Sequence, residues 1–200
     1  MADQYYTAKP ASRRREATIR ATIQGRVLVF VTDAGVFSRG KLDRGTELLG
    51  RNLAVAPDAA VLDVGCGYGV LGILAATLAP NGRVVMTDVN ERAIDLAARN
   101  IRANAVPHAE VRMGSLYEPV AGETFDAIVC NPPLRAGKDV VFRIVDEAPI
   151  HLKPGGVLWT VARTSQGAKS LEARIAERFG GCETLARGSG YRVLRSSARR

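Results

Sequence analysis

From residue 60 onward the chain alternates short β-branched runs with longer helical patterns, and few architectures accommodate that rhythm. Strands are expected over 60–64, 83–87, 110–113, 127–130, 157–161, 183–186 and 191–194. Helices are expected over 70–78, 91–104, 138–152 and 168–179. In the second of these, Ile94, Ala97, Ala98 and Ile101 fall on one face. Pro154-Gly155-Gly156 is expected to close the third helix and Gly180-Gly181 the fourth. Helices between successive strands force parallel pairing and cover both faces of the sheet. The last join, Arg187-Gly-Ser-Gly190, is too short for a crossover helix, so the final strand runs antiparallel. The fold class is therefore α/β, doubly wound, with a mostly parallel sheet.

Upstream the texture changes. Residues 18–23 and 27–31 alternate around Gln24-Gly25 as an N-terminal β-hairpin, a polar loop fills 32–43, and a helix is expected over 46–53. A chain of 200 residues can bury enough surface to fold without a disulfide or a metal. Residues 1–200 thus read as one domain, with 1–45 a hairpin and closing loop and 46–200 the ligand-binding core. Cys66, Cys130 and Cys182 are odd in number with no close pair, which argues against a disulfide framework or a zinc site and fits a reducing, cytoplasmic setting. No metal is expected. The opening sixteen residues lack the apolar core of a secretory signal. No apolar run approaches the roughly 20 residues that a membrane span requires. Net charge is +8, and nine of the 28 basic residues lie near the ends: Lys9, Arg13, Arg14, Arg15, Arg187, Arg192, Arg195, Arg199 and Arg200. That pattern suits either a nucleic-acid-facing surface or a solubilising tail.

The first chemical signal is Val61-Leu-Asp-Val-Gly65-Cys-Gly67-Tyr-Gly69, where a strand ends, the chain turns on glycines and a helix begins. In open α/β sheets ligands bind beyond the carboxyl ends of strands. Gly67-x-Gly69-x-x-Gly72 formally matches a dinucleotide fingerprint, but the tight turn after the strand starts at Gly65. Asp63 also precedes the loop. Its carboxylate would repel a pyrophosphate, yet it can bind the ammonium of a methionine moiety. S-adenosylmethionine carries no phosphate and needs no anion cradle. Asp88, at the end of the next strand, can accept hydrogen bonds from both ribose hydroxyls of either cofactor. Asn90 is the residue expected to cap the helix that follows.

Asn131-Pro132-Pro133-Leu134 follows the strand Asp126-Ala-Ile-Val-Cys130. Two prolines fix the backbone and remove two donors, so local carbonyls face outward as acceptors. With the Asn131 side chain they can take both hydrogens of an exocyclic amine or amide and aim its lone pair at a reactive methyl group. A dehydrogenase has no use for this tetrad here.

At this point the chain resembles the "methyltransferase small" family of class I methyltransferases, and within it the single-domain relatives of the small-subunit ribosomal RNA guanine-N2 methyltransferases. The stretches that carry the resemblance are Gln4-Tyr5-Tyr6, Thr32-Asp-Ala-Gly-Val-Phe-Ser38, Leu42-Asp43, Leu62-Asp-Val-Gly-Cys-Gly-Tyr-Gly69, Asp88-Val-Asn-Glu-Arg-Ala93, Asn131-Pro-Pro-Leu-Arg-Ala-Gly-Lys138, Gln166-Gly-Ala-Lys-Ser170 and Gly190-Tyr-Arg-Val-Leu194. It implies a seven-stranded sheet and S-adenosylmethionine as methyl donor. It places Asp63, Gly65, Cys66, Gly67, Asp88, Val89, Ser115, Leu116 and Asn131 around the cofactor, with Val89 on the adenine. It places Phe37, Ser38, Asp43 and Thr46 over the methionine end or the substrate pocket, with Pro133, Leu134, Arg135 and Lys138 beside the substrate. Asn131 and the Pro132 carbonyl would be the catalytic pair holding the target nitrogen.

Two departures from the family pattern stand out. An aromatic residue often follows Asn-Pro-Pro and stacks on a flipped base, whereas Leu134 cannot, so Phe37 or Tyr191 would have to. An acidic residue often follows the third strand, whereas here Ser115 or a backbone amide must meet the adenine amine. Arg135 and Lys138 could hold RNA phosphates. His108, His151 and Trp159 read as structural.

The implied activity is methylation of an exocyclic guanine amine in ribosomal RNA, with the RNA or the small ribosomal subunit as partner and a homodimer as one way to enlarge the docking surface. The alternatives are a protein-glutamine methyltransferase and a non-catalytic nucleoside- or RNA-binding module. An NAD-dependent oxidoreductase is disfavoured by Asp63.

Overall fold

A computed structural model describes residue 8, residues 12–133 and residues 136–198. The chain runs β1 (Ala17–Ile23), β2 (Arg26–Thr32), α1 (Arg44–Asn52), β3 (Ala60–Val64), α2 (Val70–Leu78), β4 (Arg83–Asp88), α3 (Glu91–Ala103), β5 (Ala109–Met113), β6 (Phe125–Cys130), α4 (Lys138–Glu147), β7 (Leu152–Arg163), α5 (Ala168–Phe179), β8 (Glu183–Gly188) and β9 (Tyr191–Ser197). Seven strands form one sheet in the order β5-β4-β3-β6-β7-β9-β8. Only β9 runs against its neighbours, pairing antiparallel with both β7 and β8. The order reverses between β3 and β6, so the loops after those strands diverge and open a crevice at their carboxyl ends.

Alternation along the strands divides the core. In β3, Val61 faces the layer built by α1, α2, α3 and the hairpin, while Leu62 and Val64 face α4 and α5. Trp159 is buried in the first of these layers, as expected of a structural residue. Helix α2 is apolar all round and buried along most of its length, because it lies between the sheet and the hairpin.

The hairpin turns on Gln24 and Gly25, both in the left-handed region, and forms its own two-stranded sheet. A lone hairpin is marginal in water, so something must satisfy its free edge. Asn100 and Asn104 of α3 do so. Asn100 accepts the Val31 N–H at 2.8 Å and donates to the Val31 carbonyl at 3.0 Å, and Asn104 does the same for Val29 at 2.9 and 2.7 Å. Two amides one helical turn apart thus imitate a neighbouring strand. Asn100 is fully buried and also donates to the Tyr68 carbonyl at 2.8 Å. Asn100→Ala strands three backbone groups and is expected to lower stability by about 3 kcal/mol, read as a drop in the urea midpoint at unchanged m-value.

Two expectations need correction. The helix expected over 138–152 stops at Glu147, because Pro149 tightens the next turn into a 3-10 helix over Ala148–Ile150 and Leu152 already belongs to β7. Pro154-Gly155-Gly156 does not end a helix. It bulges out of β7, whose pairing with β6 moves from Phe125–Leu152 to Ala127–Val157. The polar loop over 32–43 is also less solvated than its composition suggests. Thr32 and Asp33 are fully buried, and Arg92 of α3 reaches the carbonyls of Ser12 and Ala34.

Candidate active site

At the carboxyl ends of β3, β4 and β6 lies a cavity of about 270 Å3. The glycine loop forms its floor. Gly65 and Gly67 adopt left-handed backbone, and a Cβ on either would meet nothing within 4 Å. The absent side chains therefore leave open space where a ligand can approach the main chain.

The loop's N–H groups are spent inward. Gly65 and Cys66 both donate to the Thr87 carbonyl, at 2.9 and 3.0 Å, and Gly69 donates to the Cys66 carbonyl at 2.9 Å. Gly67 donates to Asp88 Oδ2 at 2.8 Å. In the first turn of α2, Gly72 also donates inward, to Asp63 Oδ2 at 2.8 Å. A phosphate needs these donors turned outward. The N–H groups of Gly65, Cys66, Gly67, Gly69 and Gly72 are thus turned away from a pyrophosphate, and Gly72 of the formal dinucleotide fingerprint is a packing feature. Gly72 passes so close to Met86 that a Cβ would lie 2.4 Å from its side chain.

Two carboxylates remain on the cavity wall. Asp63 is 1% exposed, and burial pushes its carboxyl up to about 7, with the nearby Asp88 adding to the shift. Asp88 is also raised by burial, against the pull of N–H groups from Asn90, Gly67 and Val89. Burial pushes the thiols of Cys66 and Cys130 up as well, so neither serves as a thiolate nucleophile.

Asn131 follows β6 and lines the same cavity. Its Nδ2 donates to Asp43 Oδ2 at 3.1 Å and to Thr46 Oγ1 at 2.9 Å. Pro133 and Pro132 differ in a useful way. The Pro133 carbonyl accepts the Ala136 N–H at 2.8 Å, while no described donor takes that of Pro132. The acceptors left at this end of the cavity are thus Asn131 Oδ1 and the Pro132 carbonyl.

Residues 27–195 match the methyltransferase small domain family. The chain belongs to that family. It is a class I, S-adenosylmethionine-dependent methyltransferase, with the seven-stranded sheet of that class. It is 33% identical over 198 residues to the uncharacterized protein YbxB of Bacillus subtilis, covering 98% of each chain. It is 36% identical over 177 residues to ribosomal RNA small subunit methyltransferase C of Pseudomonas aeruginosa, covering 86% of this chain and 51% of that one. Among solved structures it is similar to the Thermus thermophilus 16S rRNA N2 G1207 methyltransferase, RsmC, bound to AdoMet and guanosine. The TM-score is 0.83 at 30% identity, over 95% of this chain and 52% of that one. The chain spans about half the length of the ribosomal RNA methyltransferases it matches.

For a methyltransferase small domain protein, the wall can be compared with the residues that the sequence singles out. Asp63, Gly65, Cys66, Gly67, Asp88, Val89, Ser115, Leu116 and Asn131 all line the cavity, and so do Phe37, Thr46, Pro132 and Pro133. The donor set fits S-adenosylmethionine. Asp63 can meet a cationic amine, Asp88 keeps lone pairs for ribose hydroxyls, and the open glycine floor admits a ligand without phosphate. Ser38, Asp43 and Lys138 stand outside the wall. Ser38 donates to the Lys41 carbonyl at 2.9 Å, Asp43 supports Asn131, and the Lys138 ammonium lies 5.0 Å from the Phe142 ring. Leu134 and Arg135, like Gln4-Tyr5-Tyr6, lie outside the described residues. Tyr191 is also absent from the wall, its ring lying against Gly45 and under the Arg163 guanidinium.

The sequence reading missed the outer wall from α4, where Val140, Arg143 and Ile144 follow Ala136 at helical spacing. That spacing was the available signal. Among the described residues, three of the terminal basic side chains are held in ion pairs. Arg14 pairs with Asp95, Arg192 with Glu172 and Arg195 with Glu183, while Lys9, Arg199 and Arg200 lie outside the described residues. No helix among the described residues is long and apolar enough to cross a membrane.

Proposed function

We propose that this protein methylates an exocyclic guanine amine, N2, in small-subunit ribosomal RNA. The observation that carries the reading is the pair of acceptors, Asn131 Oδ1 and the Pro132 carbonyl, at the mouth of a cavity suited to S-adenosylmethionine. The guanosine bound by the RsmC relative supports the same substrate class. When bound, S-adenosylmethionine supplies an activated methyl group. Gly65, Cys66, Gly67 and Asp88 would hold its nucleoside side, with Val89 against the adenine and Ser115 and Leu116 at its edge. Asp63 would hold its amino group.

The protein's own task is positioning. The two acceptors take both hydrogens of the target nitrogen, leaving the lone pair clear to face the methyl donor. No nucleophilic side chain is required. Phe37 and Tyr68 both line the cavity wall, and Phe37 would stack on the base, the role that Leu134 cannot fill. Arg143, on the outer wall with its side chain 55% exposed and its Nε donating to Glu147 at 3.0 Å, would meet a phosphate with its remaining N–H groups, the role also proposed for Arg135 and Lys138.

The test is transfer of labelled methyl groups to purified small subunits, naked ribosomal RNA and a release factor in parallel. Label recovered as N2-methylguanosine supports the proposal. Label confined to protein points to glutamine methylation, since an amide nitrogen poses the same geometric problem. Absence of label in all three, with cofactor binding intact, overturns the substrate class. Arg143→Ala should raise the KM for RNA about threefold to tenfold and flatten its salt dependence, leaving cofactor affinity unchanged.

A further inference from the structure

We propose that Asp43 and Thr46 are positioning residues that fix the orientation of the Asn131 amide, so that it meets the target nitrogen as an acceptor. The proposal rests on the reading of Asn131 Oδ1 given above.

An asparagine amide has two nearly isosteric ends, one donating and one accepting. A target amine presents hydrogens, so an amide turned the wrong way would set donor against donor. Nothing in Asn131 itself prevents that rotation. The neighbouring groups do. The Asp43 carboxylate can only accept, so the atom 3.1 Å from its Oδ2 must be Nδ2. Thr46 Oγ1 accepts from the same Nδ2 at 2.9 Å and donates to Asp43 Oδ2 at 3.3 Å. The three side chains form a closed triangle in which both amide hydrogens are used. Oδ1 is then the free end of the group.

Asp43 and Thr46 are themselves held by the start of α1. Asp43 is the N-cap, accepting the Thr46 N–H at Oδ2 (2.8 Å) and the Glu47 N–H at its carbonyl (2.8 Å). The helix end is seated by Tyr191, whose ring lies so close to Gly45 that a Cβ would be 2.7 Å away. A side chain 88 residues before Asn131 thus governs which end of the amide faces substrate.

The helix cap and the positioning role can be separated. Asp43→Ser keeps a good capping group but is too short to reach Asn131. In the full chain labelled with 15N-asparagine, the Asn131 side-chain amide is identified by its loss in Asn131→Ala. We expect slow hydrogen exchange at this amide in the unaltered protein and exchange at least tenfold faster in Asp43→Ser. We expect kcat for methyl transfer to fall about tenfold to a hundredfold, with cofactor KM within about twofold. Thr46→Val should lower kcat similarly, and Thr46→Ser, which restores the hydroxyl, should recover most of the loss. In an Asn131→Ala background Asp43→Ser should add nothing, whereas a merely structural role would lower activity further. Unchanged amide protection in Asp43→Ser, or full additivity with Asn131→Ala, overturns the proposal whatever the substrate. Full turnover by Asn131→Ala overturns the nitrogen-acceptor reading instead, and the exchange measurement tells the two failures apart.

Discussion

Replacing Asn131 with alanine is expected to lower turnover about a hundredfold while cofactor affinity stays within about threefold. The reason is a division of labour along the cavity. Asp63, the glycine loop and Asp88 sit at the ends of β3 and β4, and Asn131 sits after β6, across the point where strand order reverses. The variant keeps the Pro132 carbonyl, so one of two acceptors survives and the target nitrogen still enters, but with its lone pair free to swing. Asn131→Asp should do no better, although it keeps an acceptor at the same place. It sets a second carboxylate at the position now 3.1 Å from Asp43 Oδ2, and like charges at that distance reject one another unless a proton is shared. Single-turnover methyl transfer and calorimetric cofactor binding separate the two effects. Equal loss of both would move Asn131 into the cofactor site.

The sequence exposes this site unevenly, and the difference follows from what kind of chemistry each part needs. Gly65, Gly67, Asp63, Asp88 and Asn131 are legible because their demands are local: a left-handed turn, a carboxylate at a strand end, an acceptor fixed by prolines. The role of Asp43 is not local. It exists because Tyr191 seats the start of α1 against Gly45, and no pattern near Asp43 announces a ring arriving from β9. The same contrast governs the fold. Strand β3 and helices α2 and α5 end at glycines or at a tight turn, and their limits can be read directly. The start of β7 cannot, because Pro154-Gly155-Gly156 has the composition of a terminator and behaves as a bulge. The buried loop around Asp33 is hidden for a similar reason. Asp33 Oδ1 takes the Arg15 N–H and the Arg92 guanidinium lies 3.7 Å from Oδ2, and the arrival of both residues depends on the finished fold.

Cofactor binding should weaken as pH falls below about 7, by nearly tenfold per unit, and Asp63→Asn should abolish that dependence along with most of the affinity. Burial pushes the Asp63 carboxyl up to about 7, against the pull of the Gly72 N–H and with the nearby Asp88 carboxylate adding to the rise. A cationic amino group favours the ionised form, so binding at pH 6 must expel the proton that most molecules carry. Calorimetry at that pH in two buffers of different ionisation enthalpy should register release of nearly one proton. The stability of the free protein carries the opposite sign. The folded carboxyl holds its proton more tightly than the usual value of 3.8, so ionising it opposes folding. That penalty is complete above about 7 and fades as pH falls toward 4. A shift of this size corresponds to about 4 kcal/mol. Asp63→Asn removes the charge yet keeps an acceptor for the Gly72 N–H, and should raise the melting temperature of the free protein at pH 8 by at least about 3 °C. A variant that binds the cofactor poorly and melts higher would mark Asp63 as a charge kept for its ligand at the expense of the fold. A variant that melts lower would mean that the Gly72 contact needs the ionised carboxylate, and that Asp63 serves the fold first.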